Sequence, residues 1–221
     1  MQKSIPDQAE AFDRIAPGWY NFRYHTIFPT ELTELACRWQ KGKLLNLGCG
    51  HGADFVPFKE GFELYGVDFS AEMLRLAAKY AAKNAFRANL TRTDMRHLPY
   101  PDDFFDRAIA VASLHHLPGP AEQVKALDEL WRVIKPGGES LITVWNRWQR
   151  RFWFKPKEVL VPWRSGGVVL ERYYYLFSYP EVEKLVRRAG FILIKSFPES
   201  SFHGPLKCFS RNICLLIKKP N

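Results

Sequence analysis

Cysteine is scarce in this sequence, long apolar runs are missing and acidic residues are in deficit. The four cysteines, Cys37, Cys49, Cys208 and Cys214, form no C-x-x-C pair and share no ligand-like spacing with the six histidines. That pattern argues against a zinc site or a disulfide framework, so no metal is expected and the thiols read as reduced. No stretch approaches the roughly 20 consecutive apolar residues of a membrane helix, and the start, MQKSIPDQAEAF, has no basic region followed by an apolar one. The expected location is the cytoplasm. Repeats and low-complexity segments are absent as well. Against 32 Lys and Arg stand 23 Asp and Glu, leaving a net charge of +9 and a pI near 9.4. Such a surplus favours a polyanionic partner such as nucleic acid.

What is present is organised around residues 44 to 68, LLNLGCGHGADFVPFKEGFELYGVD. The apolar run Leu44 to Leu47 enters three glycines, Gly48, Gly50 and Gly52, and a second short strand, Phe62 to Val67, ends on Asp68. Glycines allow a sharp turn and let a ligand lie against bare backbone, and a helix after the turn offers unpaired N–H groups. A carboxylate ending the next strand accepts from two ribose hydroxyls. The spacing therefore predicts a nucleoside-containing cofactor. Gly48, Gly50 and Ala53 also satisfy G-x-G-x-x-G/A with Asp68 about 20 residues on, so this stretch alone leaves NAD and S-adenosylmethionine both open.

With 221 residues and 47% of them hydrophobic, the chain suits one domain over 1–221, with a helical lead-in at 1–42 and a basic aromatic insert at 146–177. Residues 5 to 16 read as a helix with Pro6 in its first turn and Ala9, Phe12, Ile15 and Ala16 on one face. The aromatic loop GWYNFRYHTIF leads to a second helix over 30 to 40, striped by Leu32, Leu35, Ala36 and Trp39. Two helices ahead of the glycine unit shift the odds away from NAD. After Asp68, Ser70 caps a helix with Met73, Leu74, Ala77 and Ala78 at helical spacing. A strand follows over 85 to 90, then one over 106 to 114 that ends at His115 and His116. The next helix, 120 to 134, turns Ala121, Val124, Leu127, Leu130 and Trp131 inward and stops at a turn, Lys135 to Gly138. After a strand at 140 to 145, regularity is lost from Asn146 to Phe177, where basic residues interleave with aromatics. A helix at 179 to 189 and strands at 191 to 197 and 211 to 218 close the chain. This alternation predicts an α/β fold with a doubly wound, mostly parallel sheet and an antiparallel last strand. Gly48, Asp68, Asp94 and His115/His116 all fall at strand ends, where one crevice can hold them.

The residues also carry a resemblance. LLNLGCGHG, GVDFS followed by Met73, RTDM, DDFFDRAIAVASLHHL and ELWRVIKPGGESLITVW occur in order over 44 to 146, and they resemble the successive motifs of class I S-adenosylmethionine-dependent methyltransferases. The resemblance implies a seven-stranded Rossmann-like sheet and S-adenosylmethionine as cofactor. It assigns cofactor contacts to Asn46, Gly48, Gly50, Gly52, Asp68, Phe69, Met73, Asp94 and Met95, with Asp68 on the ribose, Asp94 on the adenine amine, and Phe69 and Met73 about the adenine ring. Asn46 departs from the family, which carries Asp or Glu there.

No N-P-P-Y segment or Pro-Cys pair follows the strand ending at Leu114, so the motifs of amino-methylating and cytosine-C5 enzymes are missing. The flanks AFDRIA, WYNFRY, HHL, VW, VPW, RYYYLF and RNICLLIKK resemble the tRNA wobble-uridine carboxymethyl methyltransferase family. This resemblance implies methyl-esterification of 5-carboxymethyluridine in the anticodon; for that acceptor Arg23 and Arg172, each followed by tyrosine and outside the core motifs, and His116 are the candidate catalytic residues, with His115 as a neighbour. A carboxylate is ionised at pH 7 and needs positioning and a cationic clamp, not a strong base. Tyr175 stands where the family has His, so that residue's role does not carry over. The insert is expected to face tRNA, with its arginines exposed and its tryptophans largely buried. The resemblance further implies a heterodimer with a small zinc-binding activator subunit, added at the sheet edge over Phe86 to Thr91 in the order 3-2-1-4-5-7-6. Two alternatives remain open, a small-molecule methyltransferase of the quinone or polyketide type and a catalytically silent tRNA-binding subunit, which Asn46 alone supports.

Overall fold

A computed structural model describes residues 7–165 and 168–221. In chain order, α1 (Gln8–Phe22) and α2 (Pro29–Trp39) precede β1 (Gly42–Leu47), β2 (Phe62–Asp68), α3 (Ala71–Lys83), β3 (Asn89–Arg92) and β4 (Phe105–Val111). Then come α4 (Gly119–Val133), β5 (Ile134–Trp145), β6 (Glu158–Ser165), β7 (Val168–Tyr175), α5 (Tyr179–Arg188), β8 (Ile192–Pro198) and β9 (Asn212–Lys218). Seven strands form one sheet, β3-β2-β1-β4-β5-β9-β8, and β6 and β7 form a separate antiparallel hairpin. The strands β1 to β5 run parallel, and β9 lies antiparallel between β5 and β8. With the hairpin set aside, this is the expected order.

The two-residue period of β1 sorts its side chains into two cores. Leu45 and Leu47 join Ala108, Ile142 and Val144 under α4 and α5, whereas Leu44 joins Ile109, Leu141 and the α2 residues Leu32, Leu35 and Trp39. A smaller cluster of Phe12, Ile15, Ala16, Met73 and Leu76 fastens α1 to α3. There the Asp13 carboxylate accepts from Ser70 Oγ (2.6 Å) and from the Glu72 backbone N–H (3.0 Å). Ser70 in turn caps α3 by accepting from the Met73 N–H at 3.1 Å, so one helix supplies acceptors for the first turn of another.

Several expectations are corrected. Ile5 and Pro6 lie outside the described residues, and α1 starts at its Asp7 cap and runs through Pro17 to Phe22, taking in half of the supposed aromatic loop. Packing on α3 and β7 outweighs the helix-breaking tendency of Pro17. The glycine turn is followed by a short 3-10 segment, Ala53–Phe58, in place of a helix. The strand expected at 85 to 90 forms at 89 to 92, because Ala85 takes a positive φ of 55°. Lys135 to Gly138 belongs to β5, with the register shifting between Phe105 and Arg107 opposite it. On α4 the inward set is Gln123, Ala126, Leu127, Leu130 and Val133, while Ala121 and Trp131 face solvent. On α3, Leu76, Tyr80 and Ala81 complete the stripe and Ala78 is exposed.

The insert is also more regular than expected. Its second half is the β6–β7 hairpin, in register from Glu158 with Tyr175 to Ser165 with Val168. The anticipated burial is partly inverted, since Arg172 is 5% exposed while Trp148 and Trp153 are 40% and 45% exposed.

Candidate active site

The chain turns sharply where β1 ends because Gly48 and Gly50 adopt φ values of +68° and +53°, a region that favours glycine. A Cβ on Gly48 would fall 2.5 Å from Ser113 Cβ, whereas one on Gly50 would meet open space. Gly52, with φ +87°, completes the turn by donating its N–H to the Cys49 carbonyl at 2.9 Å. Above the turn lies a cavity of about 120 Å³.

Of the residues singled out in the sequence, Gly48, Gly50, Asp68, Phe69, Met73, Met95, Arg23, His115 and His116 line this cavity together. Asn46, Gly52, Asp94 and Arg172 are not among the residues that line it, although Arg172 packs on the lining residue Tyr174. Asn46 is fully buried on β1, between Gly66 and Ile109, and neither its Nδ2 nor its Oδ1 has a partner. Asp94 is already engaged, for Arg96 donates to it three times, from its backbone N–H and Nε at 2.9 Å each and from Nη2 at 2.5 Å, and also bridges to Glu122. Burial raises its carboxyl, but the Arg96 hydrogen bonds more than offset this and hold it below the usual carboxylate range.

Asp68 is held differently. Its Oδ2 accepts the Gly50 N–H at 2.8 Å and its Oδ1 accepts the Ser70 N–H at 2.9 Å. Each oxygen keeps a further lone pair for a ligand. Burial nevertheless dominates and pushes its carboxyl up to about 6.

The floor and far wall are aromatic. Trp145 stacks on Tyr174 with ring centres 4.0 Å apart and planes at 13°, and His115 lies 5.0 Å from Tyr174 on the same stack. The Trp145 backbone N–H donates to His115 Nδ1 at 3.1 Å, and His116 Nδ1 donates to the Tyr173 carbonyl at 2.9 Å. Burial pushes His115 well below its ordinary range and His116 down to about 3. Both rings are therefore neutral at pH 7, with His116 Nε2 left as an acceptor.

Cations close the site. Arg23 ends α1 with its guanidinium 4.9 Å from the Phe22 ring and 5.7 Å from Trp19. Arg172, on β7, sits 5.3 Å from Tyr174, 5.3 Å from Trp163 and 5.5 Å from Trp19. Each has a buried Nε without a hydrogen-bond partner, and neither pairs with a carboxylate among the described residues. Burial lowers both guanidinium pKa values, yet Arg stays charged. Two charges in an aromatic box that holds no counterion among the described residues are poised for an anion.

Sequence reasoning missed Trp19, His51, Ser113 and Tyr174 in this wall. Their elements meet only in the folded chain, and the one hint for His51 was its place between two turn glycines. His51 Nε2 and Ser113 Oγ are buried and unpartnered beside the glycine turn. Together with the open space at Gly50 and the free lone pairs of Asp68, they suit the amino-acid and ribose ends of S-adenosylmethionine, so the residues present fit that cofactor.

The family described as a methyltransferase domain matches residues 44–138. A tRNA (carboxymethyluridine(34)-5-O)-methyltransferase of Arabidopsis thaliana is 29% identical over 189 residues, 86% of this chain and 44% of its own. The chain thus spans less than half the length of that relative. A demethylmenaquinone methyltransferase of Lactiplantibacillus plantarum is 30% identical over 170 residues, 67% of this chain and 69% of its own. In fold, the chain is similar to an S-adenosylmethionine-dependent methyltransferase from Clostridium acetobutylicum, with a TM-score of 0.74 and 14% identity over 95% of this chain and 99% of that one.

Proposed function

We propose that this chain, which belongs to the class I S-adenosylmethionine-dependent methyltransferases, methyl-esterifies the carboxylate of 5-carboxymethyluridine at the wobble position of a tRNA anticodon. The observation that carries this reading is a pair of guanidiniums that meet no carboxylate among the described residues, Arg23 in the lining of the cavity that the glycine turn opens and Arg172 on its wall residue Tyr174. A quinone or polyketide acceptor gives no use to one half-buried and one buried cation, whereas a carboxylate does.

S-adenosylmethionine, when bound, supplies an electrophilic methyl group. The chain's own residues then have four tasks. Gly50, Asp68 and Met95 hold the cofactor side, while Arg23 and Arg172 orient the acceptor carboxylate and offset its desolvation. His116, kept neutral and fixed through Nδ1 by the Tyr173 carbonyl, offers Nε2 as an acceptor to the base that carries the carboxylate. Trp19, Trp145 and Tyr174 exclude water. No group needs to take a proton, because the acceptor is already an anion.

The same reading includes a zinc-binding activator subunit docked by strand addition. Supporting it, β3 is a four-residue edge strand flanked by a groove that includes Phe62, Leu64, Phe86 and Leu90.

One experiment tests both parts. Undermodified tRNA is incubated with labelled cofactor, with and without coexpressed activator, and nucleosides are identified by mass spectrometry. A base-labile methyl ester on a wobble uridine, increased by the activator, is expected. Label that reaches a quinone but never tRNA would overturn the reading in favour of the demethylmenaquinone-like alternative. Tight tRNA binding without any turnover would mark a silent subunit.

A further inference from the structure

Outside the acceptor cavity, two more arginines are joined by a bracket that the reaction itself does not use. Arg151 follows β5 in a 3-10 turn, Arg150–Phe152, and its guanidinium lies 4.5 Å from the ring of Trp145, a residue of the cavity wall. Arg211 precedes β9, and both residues are exposed. Gln149 links them. Its Oε1 accepts from Arg151 Nε at 3.2 Å, and its Nε2 donates to the Arg211 carbonyl at 2.8 Å and to the Asn146 carbonyl at 3.1 Å.

The Arg211 backbone is fixed on its other side too. Its N–H donates to Glu199 Oε1 at 3.0 Å, and the Asn212 N–H donates to Glu199 Oε2 at 2.7 Å. Glu199 is a buried carboxylate, 5% exposed, whose two oxygens accept from backbone and which forms no ion pair with either arginine side chain among the described residues. Among the described residues neither Arg151 nor Arg211 pairs with a carboxylate. Arg211 also lies near enough to depress the guanidinium pKa values of Arg23 and Arg151, after burial. Like charges held together without an anion destabilise the fold unless a ligand supplies one.

We propose that Arg151 and Arg211, set in place by Gln149, form an outer clamp for an RNA phosphodiester adjoining the methylated nucleotide. The clamp selects a nucleotide within a chain over the free nucleoside, while Arg23 and Arg172 read the carboxylate. Gln149 is a positioning residue, since it reaches the phosphate only through the arginines. This inference rests on the RNA-substrate reading above.

The test compares wild type with Arg151→Gln, Arg211→Gln, the double variant and Arg211→Lys. Two substrates are used, an anticodon stem-loop RNA bearing 5-carboxymethyluridine and the free nucleoside. Each single Gln variant is expected to raise KM for the RNA by about 10-fold at nearly unchanged kcat, and to move KM for the nucleoside by less than about twofold. Fluorescence anisotropy over a salt series should give the double variant a log-affinity slope shallower by about 0.7, one phosphate contact. Arg211→Lys should restore most of the RNA affinity. An unchanged RNA KM and salt slope in the double variant would overturn the clamp, as would equal losses on RNA and nucleoside. If wild type esterifies neither substrate, the wobble-uridine reading fails, and the salt slope still decides the clamp.

Discussion

His51 shows how one side chain ties the site to pH. It is buried between the glycine turn and the rings of Tyr20 and Tyr80, and burial, only partly opposed by hydrogen bonds to the Tyr24 and Arg23 backbone, lowers its pKa from 6.5 to about 4. Folded, it binds fewer protons than unfolded between those values. Its stability contribution is therefore whole above pH 6.5 and is lost as pH falls toward 4. At pH 5 the loss amounts to about 2 kcal/mol. Thermal melts of His51→Gln should accordingly lose less stability than wild type between pH 7 and pH 5, and parallel curves would refute the assignment. Asp68 works in the opposite sense, because its raised carboxyl binds a proton in the fold first. Single residues were legible unevenly. Asp68 was visible as the polar end of an apolar strand. The burial of Glu31, Arg172 and Glu199 was not, for charged side chains ordinarily stay exposed, and the Ser200 amide that Glu31 accepts lies 169 positions away in sequence.

Among the elements, the insert departs most from its sequence pattern. A half-buried strand betrays itself by alternation, but β7 is buried at every position from Arg172 to Tyr175. Tyr173 and Tyr175 enter the main core while Tyr174 packs on Phe152. Each tyrosine in the main core also finds a polar partner for its hydroxyl, Tyr173 accepting from the Gly119 N–H and Tyr175 donating to Glu181. With both faces covered, no period of two survives to be read. The helices α2 and α3, packed on one side only, kept their periodicity, so α2 was legible, while the stripe expected on α3 includes exposed Ala78 and omits Leu76, Tyr80 and Ala81. Under the proposed RNA-substrate reading, the exposed half of the insert has a separate use. Trp153 lies 6.1 Å from Phe209, and Phe154 is 97% exposed, so this face offers rings to unstacked bases. Phe154→Ser should weaken binding of an anticodon stem-loop about 10-fold, one stacked base, and leave the melting temperature unchanged. Equal affinity would remove Phe154 from the RNA face.

At the scale of the molecule, the order of strands was legible because alternating strands and helices admit few right-handed, unknotted arrangements. The net charge of +9 pointed to a polyanion, but only the fold brings arginines from the end of α1, the insert and the segment before β9 close enough that the last, after burial, depresses the guanidinium pKa values of the other two. The thiols, first noticed for their scarcity, acquire a use from their places. Cys49 and Cys214 are buried, and burial pushes both well above the ordinary thiol range, so they are slow nucleophiles. Cys37 on α2 and Cys208 in the turn beside Phe209 are exposed. The protein thus carries a built-in pair of chemical footprinting sites, one next to the aromatic face and one on a helix that takes no part in it. A bound anticodon stem-loop should slow alkylation of Cys208 while Cys37 reacts at its original rate, and equal protection of both would place the RNA elsewhere.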